Sequence, residues 1–65
     1  MQPGDRVRNK AKVYDRSHPH LYSAAKGSIG SVRSVVTVKG DATVVARVDF
    51  GLCQAIVNVG ALEPA

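Results

Sequence analysis

The chain has 65 residues, and nine Lys and Arg against five Asp and Glu give it a net charge of +4. A chain of this length forms at most one small domain, which buries only about 60% of the surface that its unfolded form exposes. The single cysteine excludes an internal disulfide, and no apolar run approaches the roughly 20 residues that a membrane-spanning helix needs. We therefore expect one domain over residues 1–65, without a membrane span, in the cytoplasm or the equivalent stroma.

The first predicted element is a strand over residues 5–13. One set of alternate residues is mostly apolar and comprises Val7, Asn9, Ala11 and Val13. The other set is basic and comprises Arg6, Arg8, Lys10 and Lys12. Because successive side chains of a strand point to opposite faces, the pattern predicts one strand with a basic outer face.

Residues 14–26 follow as a long loop, because they show no clean period and are interrupted by Pro19. The loop has room for one helical turn over residues 22–25. A loop of this length in so small a domain is unusual and is often functional.

The second half of the chain predicts three more strands, over residues 28–39, 42–50 and 53–59, because valine dominates its apolar residues. The alternation breaks between Val32 and Val35, which predicts a β-bulge. Gly40-Asp41 is typical of a tight hairpin turn. With Leu62 closing one end, the pattern predicts an all-β fold, a small SH3-like barrel of four to five antiparallel strands with one long first loop.

Two glycines in the segment KGSIG, residues 26–30, raise the question of a phosphate-binding loop. Such a loop needs the spacing G-x-x-x-x-G-K-[ST] ahead of a helix, whereas β-branched residues follow here. We therefore predict a turn, in which Gly27 adopts a positive φ and Gly30 permits a close backbone approach. Gly40 and Gly51 are predicted to serve the other two turns.

The candidate chemical groups predict neither a metal site nor a catalytic residue. His18 and His20 supply only half of a zinc ligand set, and Cys53 lies in a different element, so exposed histidines are expected. Cys53 continues an apolar pattern and is expected to be a buried, inert thiol. The carboxylates, which fall mostly in turns or at strand ends, are expected to be solvated; they are Asp5, Asp15, Asp41, Asp49 and Glu63.

The basic residues form a candidate surface for a polyanion such as nucleic acid. The candidate set comprises Arg6, Arg8, Lys10, Lys12 and Arg33. Phosphate contacts from these side chains would make the affinity fall steeply with salt concentration. A solvated outer face explains the same pattern equally well, so both interpretations stay open.

Five short segments carry a resemblance to a known family. GDRVR at 4–8, VYDRSHPH at 13–20, KGSIGSV at 26–32, ARVDF at 46–50 and ALE at 61–63 resemble the ferredoxin–thioredoxin reductase variable chain. Related SH3-like barrels are the photosystem I stromal accessory subunit and the C-terminal domain of the nitrile hydratase β-chain, whose start and His- and Pro-containing loop are similar.

The resemblance implies a non-catalytic accessory subunit of an oxidoreductase, without a cofactor of its own. It would pack on a larger protein subunit, in the specific case an iron–sulfur catalytic chain. The long loop over residues 14–26 and the turn near Gly40 are expected to supply the contacts. Aromatic residues dominate interface energetics, so the rings of the loop are the expected anchors. The candidate contact residues are Tyr14, His18, His20, Tyr22 and Lys39.

Two weaker resemblances leave other functions open. GDRVRNK and VGALE are similar to the type II dihydrofolate reductase, which would make the chain a homotetrameric enzyme with its active site on the symmetry axis. The G-x-x-G-x-V turn at 27–32 is similar to the KOW motif of nucleic-acid-associated proteins.

Overall fold

The computed structural model describes residues 1–38, 40 and 42–65. Within them the chain forms short strands and one 3₁₀ turn, Val59–Ala61. The strands are β1 (Arg6–Asn9), β2 (Val13–Tyr14), β3 (Ser23–Ala24), β4 (Ile29–Thr37), β5 (Val44–Asp49), β6 (Gln54–Asn58) and β7 (Leu62–Pro64). No helix in this part of the chain is long and apolar enough to cross a bilayer.

The main sheet has the strand order β6-β5-β4-β1-β7, and every neighbouring pair is antiparallel. Ser31 of the long strand β4 pairs with both Arg6 of β1 and Asp49 of β5, so β4 belongs to both halves of the sheet. Five antiparallel strands in this order, with the 3₁₀ turn before the last, form the predicted SH3-like barrel. The fold class is therefore confirmed.

The alternation of β5 and β6 places small apolar side chains inside. Ala46 and Val48 of β5 and Ala55 and Val57 of β6 are buried, whereas Ile56 is exposed. The register of β4 against β5 shifts between Val32 and Ser34, which confirms the predicted bulge. The remaining buried apolar residues are Val7, Ala24, Val32, Cys53 and Leu62.

Cys53 is buried as predicted. Its burial raises the pKa of the thiol, and the negative charge of Asp15 raises it further. At neutral pH the side chain is therefore a protonated thiol inside the barrel wall.

The prediction of one strand over residues 5–13 is wrong, because β1 ends at Asn9 and the chain turns before β2. Asn9 is almost fully buried, and its Nδ2 donates to the carbonyls of Ala11 (2.7 Å) and Ala25 (3.0 Å). The side-chain amide therefore bonds the backbone of the turn that follows it. As a result Lys10 and Lys12 lie beyond the end of β1.

The predicted helical turn over residues 22–25 is also wrong. Ser23 and Ala24 form β3, which pairs with β2 in a two-stranded ribbon, Val13 opposite Ala24 and Tyr14 opposite Ser23. Ala24 is buried against the barrel, and an extended backbone is what lets it and Val13 face the core together.

Gly27, Gly40 and Gly51 all have positive φ, at +87°, +103° and +96°. Lys39 and Asp41 lie outside the described residues, so the predicted Gly40-Asp41 hairpin turn and the contact role of Lys39 do too. The backbone N–H of Val38 donates to the carbonyl of Thr43 at 2.6 Å, so this bond joins the two ends of the β4–β5 connection.

Gly30 lies close to the end of β5, so a side chain there has no room. A Cβ at this position would lie 2.7 Å from the carbonyl oxygen of Asp49 and 2.8 Å from side-chain carbons of Val48 and Phe50. We expect Gly30→Ala to lower the free energy of unfolding by about 1–3 kcal/mol through overpacking, measured by urea denaturation. Gly60→Ala is the matched control, since no atom lies within 4 Å of its added Cβ. Equal stability of the two variants would contradict the close approach at Gly30.

Candidate functional site

A buried carboxylate anchors the long loop to the barrel. Asp15 follows β2 directly and is only 8% exposed. Its Oδ1 accepts the backbone N–H groups of Ser17 (2.8 Å) and His18 (2.9 Å), while its Oδ2 accepts the backbone N–H of Gln54 (2.9 Å). One side chain thus shapes the start of the loop and joins it to β6.

Asp15 was expected to be solvated and to form a turn. The first expectation is wrong, because the side chain is buried. The second is confirmed, because the carboxylate accepts backbone N–H groups of the turn that follows it. An aspartate that accepts a backbone N–H two residues ahead is a common turn device, and the order Asp15-Arg16-Ser17 indicates it. The bond to Gln54 spans 39 positions of the chain, so local sequence gives no sign of it.

Backbone hydrogen bonds hold the rest of the loop. The N–H of Asp15 donates to the carbonyl of Tyr22 (3.0 Å), and the N–H of Arg16 donates to the carbonyl of Gln54 (2.9 Å). At the tip, the N–H groups of Leu21 and Tyr22 both donate to the carbonyl of His18. The loop over residues 15–22 is therefore an ordered element with bonds at its base and its tip.

The electrostatics of the loop favour an ionised Asp15. The backbone N–H of Gln54 contributes most to lowering the pKa of this carboxyl, and the N–H of Ser17 contributes next. Desolvation opposes the shift, and the N–H and imidazole of His18 support it. His18 Nδ1 lies 3.6 Å from Asp15 Oδ1, so protonation of the imidazole would complete an ion pair.

The ordered loop presents a group of exposed apolar and aromatic side chains. The rings of His18 and Tyr22 meet edge to face, with centroids 5.7 Å apart. Leu21, in the same turn, is 73% exposed, and Leu52, in the turn between β5 and β6, is 86% exposed. His18 and Leu52 both line a shallow depression of about 290 Å³. We call His18, Leu21, Tyr22 and Leu52 the loop patch.

The structure brings only some of the predicted contact residues together. His18 and Tyr22 are in contact, whereas Tyr14 pairs with Ser23 in the ribbon and has Lys12 Nζ 5.4 Å from its ring centroid. His20 is exposed in the same loop. Leu21 and Leu52 were not among the predicted contact residues, although each is an apolar residue in a predicted loop or turn.

The predicted basic set does not form a stripe on one strand. Arg6 and Arg8 belong to β1, and Lys10 and Lys12 follow it. Arg8 Nη1 lies 3.8 Å from Glu63 Oε1, and Arg33 Nη2 lies 3.2 Å from Asp49 Oδ2. Lys10 Nζ donates to the carbonyl of Gly60. The pKa of Asp49 is lowered, mainly by the hydrogen bond from the backbone N–H of Gly51 and secondly by the hydrogen bond from the Arg33 side chain. These contacts occupy most of the cations proposed for a polyanion.

Comparison with family models, with curated proteins and with solved structures found no match to this chain. The resemblance to the ferredoxin–thioredoxin reductase variable chain therefore stays a prediction from the sequence. Among the described residues, no three or more His, Cys, Asp or Glu side chains are grouped so that they could hold a metal ion.

Replacing Asp15 tests the anchor through its pH dependence. Because folding lowers the pKa of this carboxyl, its ionised form stabilises the native state above the unfolded-state pKa, and this contribution is lost as the pH falls through the folded-state pKa. Asp15→Asn cannot accept hydrogen bonds at both side-chain positions. We expect it to lower the melting temperature at neutral pH and to flatten the fall of stability in acid, both measured by thermal denaturation over a pH series.

Asp5→Asn is the control, since it removes an exposed carboxylate and changes the net charge equally. If Asp15→Asn follows the wild-type pH profile, the carboxylate does not anchor the loop.

Proposed function

We propose that this protein is a non-catalytic interaction module that docks on a partner protein through the loop patch. The observation that carries the proposal is an ordered loop that exposes the apolar side chain of Leu21 and the aromatic ring of Tyr22 among its polar side chains. Leu52, in the turn between β5 and β6, is exposed as well. Asp15 fixes the backbone at Ser17, His18 and Gln54. Clustered exposed apolar groups of this kind commonly mark an interaction site.

Preorganisation supports this role. Association has to overcome the entropy of ordering loops and side chains, and a loop that is already ordered reduces that cost. Tyr22 is held by the edge-to-face contact with His18, so one aromatic anchor already has a defined orientation. Aromatic anchors of this kind often dominate binding energy.

The sequence resemblance gives the proposal a specific form. In that form the partner is an iron–sulfur catalytic chain of an oxidoreductase, and the barrel covers or positions its redox centre in the cytoplasm or stroma. The barrel itself would supply binding energy and no reacting group. The loop patch is the surface that would meet the partner.

A capture experiment with matched variants tests the docking surface. Tagged wild-type protein is compared with the double variant Tyr22→Ser, Leu52→Ser in a native lysate, with and without nuclease treatment. Val36→Ser is the control, since the exposure of Val36, 57%, lies between those of Tyr22 and Leu52, but Val36 belongs to β4. We expect the double variant to lose the captured partner, with an affinity about tenfold weaker or more once the partner is purified, and the control to retain it.

Equal capture by all three proteins would contradict docking through the loop patch. Capture that disappears on nuclease treatment would instead favour a nucleic-acid-binding barrel. Visible absorbance of an iron–sulfur centre in the captured fraction would support the specific form, and a colourless partner would remove it.

A further inference from the structure

The two edges of the main sheet differ in whether they can accept another strand. β6 and β7 are its outermost strands. An edge strand presents unpaired N–H and C=O groups, which proteins usually protect with charge, proline or a covering segment. In each edge strand, alternate residues bond the neighbouring strand, and the backbone groups of the residues between them point away from the sheet.

The β7 edge has no backbone donor to offer. The N–H of Ala65 donates to Arg6 and the N–H of Lys10 donates to Ala61, so residues 61, 63 and 65 face β1. Leu62 and Pro64 therefore face outward. The N–H of Leu62 is bonded to the carbonyl of Val59, and proline has no N–H.

The β6 edge is open beyond its first residue. The N–H of Phe50 donates to the carbonyl of Cys53, and the register pairs Asp49 with Gln54 and Arg47 with Ile56. This pairing turns the backbone groups of residues 54, 56 and 58 away from β5. Both groups of Gln54 are bonded by the loop, its N–H to Asp15 and its carbonyl to Arg16.

The open part of β6 therefore begins at Ile56. Its segment QAIVN contains neither a charge nor a proline, so two of the usual protections of an edge are missing. The ribbon strand β2 lies close to β6 but forms no ladder with it. Ile56 is 52% exposed. Among the described residues, nothing in the loops or turns bonds the backbone of Ile56 or the N–H of Asn58.

The charges beside this edge select its occupant. Arg47 lies directly across from Ile56 on the outer face, and Arg16 borders the other end of the strand through its bond to Gln54. Both side chains are exposed, and neither forms an ion pair with a carboxylate in the described part of the chain. A second copy of a chain with net charge +4 would bring like charges together.

We propose that the β6 edge accepts an extended, acidic segment of another protein as an added strand. The backbone of the segment would pair with Ile56 and with the N–H of Asn58, and Arg47 and Arg16 would meet its carboxylates. Strand addition of this kind gains affinity from main-chain hydrogen bonds and specificity from alternate side chains. This surface adjoins the loop patch, because Arg16 lines the same depression as His18 and Leu52. Ile56 and Asn58 do not line that depression, so either proposal can fail alone.

Two synthetic peptides test the proposal, one alternating valine with glutamate and one alternating valine with lysine. Each is titrated into isotope-labelled protein, and the amide resonances are followed by NMR. We expect the glutamate peptide to shift the amides of Ile56 and Asn58 and to slow their hydrogen exchange. The lysine peptide should bind more weakly.

Ile56→Pro removes the outward N–H without removing a bond of the β5–β6 ladder. We expect this variant to bind the glutamate peptide with an affinity about tenfold lower than that of Ile56→Val, which keeps the N–H. The double variant Arg16→Glu, Arg47→Glu should reverse the preference between the two peptides. If Ile56→Pro does not fold, this charge reversal decides the question.

The proposal is overturned if neither peptide binds, if the shifts map to other strands, or if proline and valine at position 56 give equal affinity. An unchanged peptide preference in the charge-reversed variant would overturn it too. Shifts at Ile56 that depend on protein concentration without peptide would show that a second copy occupies the edge instead.

Discussion

The structure depends on one buried carboxylate that accepts three backbone N–H groups. Asp15 Oδ1 serves Ser17 and His18 in the loop, and Oδ2 serves Gln54 in β6. One carboxylate therefore satisfies backbone donors of two segments that are far apart in the chain. The same bonds fix the distance between the loop and β6, and with it the positions of His18 and Leu52 in the loop patch.

Asn9 is a second buried polar residue that anchors backbone segments, at the other end of the loop. Its buried Nδ2 donates to carbonyls of the turn after β1 and of the segment after β3, while Oδ1 has no hydrogen-bond partner in the described structure. The apolar core contains small residues, mostly Val and Ala, and contributes limited packing energy. Two buried polar side chains therefore join the loop to the barrel where apolar contact alone would leave it weakly held.

Sequence reasoning predicts the elements that have a regular period and misses those that do not. β5 and β6 alternate cleanly, so their inner and outer faces follow directly from the sequence. β2 and β3 have two residues each, which is too short for any period. Asn9 occupies an inward position in a correct alternation, yet its amide bonds the next turn and ends the strand. The loop patch was half predicted, because Tyr22 and His18 are conspicuous and Leu52 joins them only through the fold.

Hydrogen exchange at the amides of Ser17, His18 and Gln54 tests the central claim, that Asp15 holds the loop as a preformed binding surface. We predict slow exchange at all three amides in the wild-type protein, and selective loss of this protection in Asp15→Ala, with the amide of Val48 in the core still protected. Exchange of the Ser17 and His18 amides at the rate of an unstructured peptide, while Val48 stays protected, would show that the loop is not anchored and would contradict the account.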